Sequence, residues 1–481
     1  MKVSASVVDD VARAKSASLF VGGGFTESQT VTLIPLIHGY ASELGVQQIY
    51  FDSVLPSVCH TDVVLQRILS RYRITTWSNS KKKYWRAAVD LPLTFITLLL
   101  KSLALALSLR RDNLLVEDHP VQSDLKHSVW DEAVLNTQDG QLSPSRLVLV
   151  RAGISIAVQH LFGLWLVRRK MVRHAFLGHT VYRHRALASA LLLTKVQVFG
   201  SANSVIFRLF GHENQGWNLL SKQEWSAAQR LKPERKTEEY WHSRLQGKAS
   251  YEDARTAVAL PNVGGQVPPN IVFLHIFRDS PFSSLDQTRI FSDSSDWIMS
   301  FLTVLKESPE EWMLRSHPNA GRWGEDQVTW IRRIGVEVFG KAGPPQNIQF
   351  HAGDTSNISL LEGAKRVVTF GGTVHLEAAA LGIKPVTITQ TPLHSKNPEL
   401  CFKPVTREEY SKLLLRSSSE PIFRLDRKDS AKALKALHFL EEMLPSYDDT
   451  GQSFIYRADP PAARARELEE VLRKMGNWPE R

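Results

Sequence analysis

A chain of 481 residues has room for two or three domains with their own cores, and 43% hydrophobic with 22% charged residues is ordinary for a globular protein. Its net charge of +10 points to anionic partners, whether nucleic acid, phosphorylated substrates or a lipid surface. Two cysteines far apart, Cys59 and Cys401, exclude a disulfide framework and a cysteine-built zinc site, so a reducing cytoplasm is the expected compartment.

The N-terminus carries acids and no signal-peptide apolar core. "SLFVGGGF" (18–25) reads as a strand entering a glycine turn, 30–45 as a helix ending at Gly45, and "VQQIYFDS" (46–53) as the next strand. Such a β-α-β unit predicts a parallel sheet. "LPLTFITLLLKSLALALSL" (91–109) is long enough to approach a bilayer span, but Lys101 sits at its middle and basic residues flank both ends. Buried, interfacial and spanning placements all remain open for it. Strands are expected at 113–119, 145–150, 174–180 and 195–200. The apolar helix within 151–174 ends in Arg168, Arg169, Lys170 and Arg173, which suits either burial or an anionic lipid surface.

Residues 206–268 are charged and helical, and "PNVGGQVPPN" (261–270) is a hinge. A second alternation follows. Strands are expected at 271–277, 311–318, 348–354, 366–372 and 384–389, and helices at 293–307 and 325–340, with Asp293 or Ser294 as a cap. The expected fold is α/β: two Rossmann-like doubly wound domains with a helical insertion and a C-terminal helical tail. The boundaries are 1–265, 266–430 and 431–481, the tail packing back on the first domain.

The stretch "FGGTVHLEAAALGIKPV" (370–386) carries the chemistry. In a doubly wound sheet, ligands bind outside the carboxyl ends of strands. Gly371 and Gly372 let backbone approach a phosphate, and the helix expected from Thr373 to Leu381 points its positive end at that turn. Thr373 adds a hydroxyl. Glu377, one turn on, either accepts from ribose hydroxyls or is simply exposed. His317 and Pro318 end another strand, where an imidazole can donate to phosphate and the proline holds the histidine extended. Arg315 and Arg322 flank them as phosphate neutralisers. His275 borders the same cleft or fills the core, and Asp279 follows it. No DxD pair after a strand, HExxH or Walker loop is present, so nothing calls for a metal or cofactor, and no basic-aromatic module supports nucleic-acid binding.

"GGTVHLEAAALGIKPVTI" resembles the donor-binding motif of GT-B glycosyltransferases and UDP-N-acetylglucosamine 2-epimerases, with Gly372 where a serine is often found. "FLHIFRDSPF" (273–282), "WMLRSHPNAGRWGED" (312–326), "AFLGHTVYRHRALASALL" (175–192) and "WDEAVLNTQD" (130–139) resemble segments of bacterial capsule polysaccharide biosynthesis proteins. The resemblance implies metal-independent transfer of a sugar from a nucleotide-sugar donor to a surface polysaccharide or its lipid-linked precursor. The alternatives are a nucleotide-sugar 2-epimerase and a non-catalytic scaffold. It implies a donor site of His275, Asp279, Arg315, His317, Pro318, Gly371, Gly372, Thr373 and Glu377. It also implies a base for the acceptor hydroxyl among Asp131, Glu132 and His179, with Asp118 and His119 behind them and the acid pair on a loop. Arg183 and Arg185 either bind an anionic acceptor or are solvated. The expected location is cytoplasmic, peripheral on the anionic inner face of the plasma membrane.

Overall fold

The structure is a computed structural model. It describes residues 18–22, 44–52, 57–77, 81–110, 120–137, 144–178, 183–202, 205–209, 234–246, 266–277, 290–341, 343–389, 397–439 and 453–455, and scattered positions elsewhere. His179, Asp279, Asp118, His119 and the strand expected at 113–119, save Leu114, lie outside the described residues, as does much of the helix expected at 30–45.

Two sheets organise the chain. The first contains β1 (Ser18–Gly22), β2 (Gln48–Phe51), β3 (Arg73–Thr76), β4 (Val172–Leu177), β5 (Gln197–Ala202) and β6 (Val205–Leu209). The second contains β7 (Asn270–Phe273), β8 (Trp312–Arg315), β9 (Ile348–His351), β10 (Arg366–Thr369) and β11 (Val386–Thr387). Strand β12 (Ser453–Ile455) returns to the first sheet beside β6. The spatial orders are β12-β6-β5-β4-β1-β2-β3 and β11-β10-β7-β8-β9. All neighbours are parallel except β5-β6 and β6-β12. The parallel block of each sheet therefore runs 3-2-1-4-5 in its own strand count, the doubly wound order. Its topological switch points fall between β1 and β4 and between β7 and β10.

Helices cover the sheets because parallel strands are apolar on both faces. The ones that matter here are α1 (Lys82–Asp90), α2 (Pro92–Ser108), α3 (Pro120–Leu135), α4 (Arg146–Lys170), α5 (Arg183–Leu193), α6 (Glu234–Leu245), α7 (Ser294–Leu305), α8 (Gln327–Phe339), α9 (Val374–Ala380) and α10 (Arg427–His438). Asp293 caps α7 by accepting from the Asp296 N–H at 2.9 Å, and Asp326 caps α8 through Thr329 at 3.0 Å. One core of the second sheet gathers Trp297, Phe301, Trp312, Ile331 and Val368; the core on the opposite face gathers Ile271, Leu360, Val367 and Ala378.

Three expectations are corrected. Residues 145–150 are not a strand but the cap and first turn of α4: Ser145 accepts from the Val148 N–H, and the apolar run continues unbroken for 25 residues. A short apolar run cannot by itself tell a strand from the start of a buried helix. Of the two placements left open for this helix, its apolar body takes burial, with Ile156, Phe162 and Leu166 in the core. Helix α6, expected with the first domain, instead packs on the second: Tyr240 joins Leu376, Ala379, Ala433 and Leu437, and its ring stacks on His438 at 4.6 Å. Helix α10 shares that cluster, so the tail expected from 431 begins inside a helix of the second unit, and β12 reaches the first sheet as a strand.

Candidate functional site

The turns after β7, β8 and β10 converge on a cleft at the β7/β10 switch point. His275, Arg315, His317, Pro318, Gly372, Thr373 and Glu377 all line it, joined by Arg244 and Asn357.

The β8 turn is held by Gln327, the first residue of α8. Its Oε1 accepts from the His317 N–H at 2.8 Å, and its Nε2 donates to the His275 carbonyl at 2.8 Å and to Glu325 Oε2 at 2.7 Å. One side chain thus ties the β7 and β8 turns together. The Asn319 N–H donates to His317 Nδ1 at 3.1 Å, which puts the imidazole proton on Nε2. Burial, with His275 and Arg315 nearby, pushes the His317 pKa down to about 3. His317 is therefore a neutral donor at physiological pH.

In the β10 turn Gly371 has φ 154°, a region open to glycine alone, whereas Gly372 keeps a negative φ. Of the two glycines, the backbone needs only Gly371 for its conformation. A Cβ at Gly372 would meet only the His275 ring, at 3.7 Å. Its missing side chain leaves room in the cleft rather than answering a backbone demand. His375 Nδ1 donates to the Gly372 carbonyl at 2.6 Å, and burial lowers its pKa to about 4. Thr373 makes no side-chain cap, and α9 has seven residues.

Arg315 and Glu377 differ most from expectation. The guanidinium of Arg315 is 2% exposed and donates to the carbonyls of Thr355 at 2.6 Å, Gly353 at 3.4 Å and Ser316 at 3.3 Å. It holds the turn after β9 against that after β8, where it was expected to neutralise phosphate directly. Those partners are neutral, so its charge remains in the cleft wall. Glu377 is 1% exposed and forms a buried ion pair with Arg244 of α6, whose Nε donates to Oε1 at 3.2 Å. Its Oε2 has a long contact with Asn357 Nδ2 at 3.4 Å. Two guanidinium groups face one carboxylate, and the histidines are neutral, so the lining carries a net positive charge. Arg315 Nε and Asn357 Oδ1 are buried without partners, a donor and an acceptor on residues that line the cleft. Arg244, Asn357 and Gln327 were not foreseen. Arg244 lies 133 residues from Glu377, and no local pattern announces the pair.

The acid pair is not on a loop. Asp131 and Glu132 sit within α3, each 5% exposed, and neither lines the cleft. Glu132 Oε2 accepts from the N–H of Arg183 at 3.1 Å, at the start of α5, and burial raises its pKa. Arg183 opens α5 and Arg185 is buried within it. Arg322 lies in the short 3₁₀ turn Ala320–Trp323, its side chain outside the described residues.

Buried neutral histidines make stability pH-dependent. His317 and His375 have folded pKa values below the unfolded value near 6.5, so the unfolded chain takes up protons first. Their contribution is intact above pH 6.5 and is lost as pH falls toward 4. Each is expected to remove about 1.5–2 kcal/mol between pH 6.5 and 5. Urea midpoints measured at the two pH values check this; equal midpoints would contradict it.

The site and fold together define a doubly wound α/β protein with an electropositive ligand cleft at the switch point of its second sheet. No protein-family model matches the chain, and no curated protein matches it. Among solved structures, a UDP-N-acetylglucosamine 2-epimerase described as putative, from Listeria monocytogenes, is similar at 10% identity and TM-score 0.28, covering 97% of this chain and 98% of its own. KpsC of Thermosulfurimonas dismutans, a beta Kdo 2,4 transferase, is similar at 10% identity and TM-score 0.33, covering 55% of this chain and 79% of its own. HepE of Anabaena, in complex with UDP, is similar at 11% identity and TM-score 0.31, covering 95% and 100%. At such identities and TM-scores no activity and no residue role passes from these neighbours to this chain.

Proposed function

We propose that the chain transfers a sugar from a nucleotide-activated donor to a capsule or other surface polysaccharide, or to its lipid-linked precursor. The observation that carries the reading is the cleft at the β7/β10 switch point, with the buried Arg315 guanidinium, whose hydrogen bonds go to carbonyls, and a neutral His317 whose proton is on Nε2. When the bond from the sugar to the diphosphate breaks, its electron pair moves to a phosphate oxygen. A fixed N–H donor and a buried positive charge stabilise charge developing there. These protein groups serve the leaving phosphate without a metal, so transfer is expected to survive EDTA. Asp131 and Glu132 are not assigned as the base, because a base must reach the acceptor hydroxyl and both are packed inside α3.

The test is calorimetry and thermal shift with UDP, GDP, CMP and their sugar conjugates. One nucleotide at 100 times its Kd should stabilise the fold by about 2.7 kcal/mol. Gly372→Val, whose Cβ fits but whose methyls enter the cleft, should remove that shift without lowering the ligand-free melting temperature. Absence of any nucleotide binding by the parent protein would sink the reading. The second reading, a nucleotide-sugar epimerase, draws on the ionisable groups crowded at the cleft: Arg244, His275, Arg315, His317 and Glu377. Incubation with donor and no acceptor separates the two. A new sugar isomer formed at once favours the epimerase, and slow hydrolysis at most favours transfer.

A further inference from the structure

We propose that the outer face of the α1–α2 elbow docks on an anionic lipid bilayer. This goes beyond the transfer reaction and does not depend on it. The two helices meet at 109°. The inner face of α2 is pressed on α4, where a Cβ on Gly153 would come within 2.9 Å of the Ser102 carbonyl and 3.1 Å of Ala106 Cβ. The opposite face is bare: Leu93, Ile96, Leu100 and Leu107 are 80%, 51%, 62% and 60% exposed. Their spacing of three, four and seven residues makes one continuous stripe. Trp85 and Val89, four apart on α1, are exposed as well. At the far end, Arg146 donates to the Leu107 and Leu109 carbonyls at 2.8 Å, bringing the exposed Leu147 of α4 beside the stripe.

Charge identifies the occupant. Lys81, Lys82, Arg86 and Lys101 are exposed along the same two helices. Asp90, the acid between 81 and 110, turns inward and accepts from Trp165 Nε1 at 2.7 Å. Apolar side chains rimmed by cations, with no exposed acid among them, complement acyl chains beneath anionic headgroups. A span does not fit this geometry. Ser102 and Ala106 are buried on α4, Lys101 interrupts the stripe at its middle, and α4 itself is largely core.

The full chain is to be floated with vesicles of phosphatidylcholine alone and of phosphatidylcholine mixed with phosphatidylglycerol, at low and high salt. Binding should favour the anionic vesicles by on the order of tenfold or more and fall at high salt. Lys82→Ala and Arg86→Ala should each weaken it about fivefold. Leu93→Glu with Leu100→Glu should abolish it while the melting temperature and the nucleotide response stay those of the parent, since both side chains are exposed; Trp85→Ala gives an independent reduction. Failure of the parent to bind, or unchanged binding by the Leu93→Glu/Leu100→Glu variant, overturns the proposal. So does a dimer that the same variant dissociates, which would mean that a second copy covers the face. Vesicle association that resists alkaline carbonate would mean a span and overturns it too.

Discussion

Arg244→Met is expected to destabilise the protein by about 3–5 kcal/mol, the cost of leaving a buried carboxylate without its partner. Both members of the Arg244–Glu377 pair are 1% exposed, so solvent cannot take over for the lost guanidinium. The substitution also removes the donor that reaches the Tyr240 hydroxyl at 3.4 Å and loosens α6 from α9 and α10. Adding Glu377→Met should restore most of the loss, because two apolar side chains need no pairing. Urea unfolding of the single and double variants measures this as a double-mutant cycle. If Arg244→Met costs less than about 1 kcal/mol, as an exposed pair would, the buried ion pair is not formed and α6 does not close this side of the cleft.

His317→Ala should lower the rate of sugar transfer by about 100-fold to 1000-fold, the usual effect of deleting one fixed donor to developing negative charge. Nucleotide affinity should change far less, because the donor matters most when the phosphate oxygen gains charge. His317→Gln, which keeps an N–H, should recover part of the loss. The pH profile is a second readout. A pKa near 3 means that the imidazole stays neutral from pH 5 to 8 and adds no limb to the rate profile there. Single-turnover transfer rates across that range, with affinity from calorimetry, separate binding from chemistry. A folded His317→Ala variant that turns over like the parent would move the leaving-group site elsewhere.

Much of the second sheet could be read from sequence because its determinants are local. Strands such as "RVVTF" and "EWMLR" are short apolar runs bounded by turn residues, and Asp293 and Asp326 mark helix starts through their own side chains. The same locality made His317-Pro318 and Gly371-Gly372 recognisable as strand-end turns, and the structure brings His317, Pro318 and Gly372 into one cleft. Where pattern was ambiguous, length decided against the sequence reading: 145–150 looks like a strand until the 25-residue helix is seen whole.

By itself the sequence determined the α/β alternation, the caps, and which turns end the strands that build the cleft, since each depends on residues within a few positions. Tertiary structure alone decided what those residues do. It sent the Arg315 guanidinium to the carbonyls of Gly353 and Thr355, and it paired Glu377 with Arg244 across 133 positions. It set the proton of His317 through the Asn319 amide and buried Asp131 and Glu132 inside α3. It also turned one face of α2 onto α4 and left the Leu93–Leu107 stripe bare. Each of these is an electrostatic or packing choice among groups distant in the chain, and local composition carries no record of which partner is near.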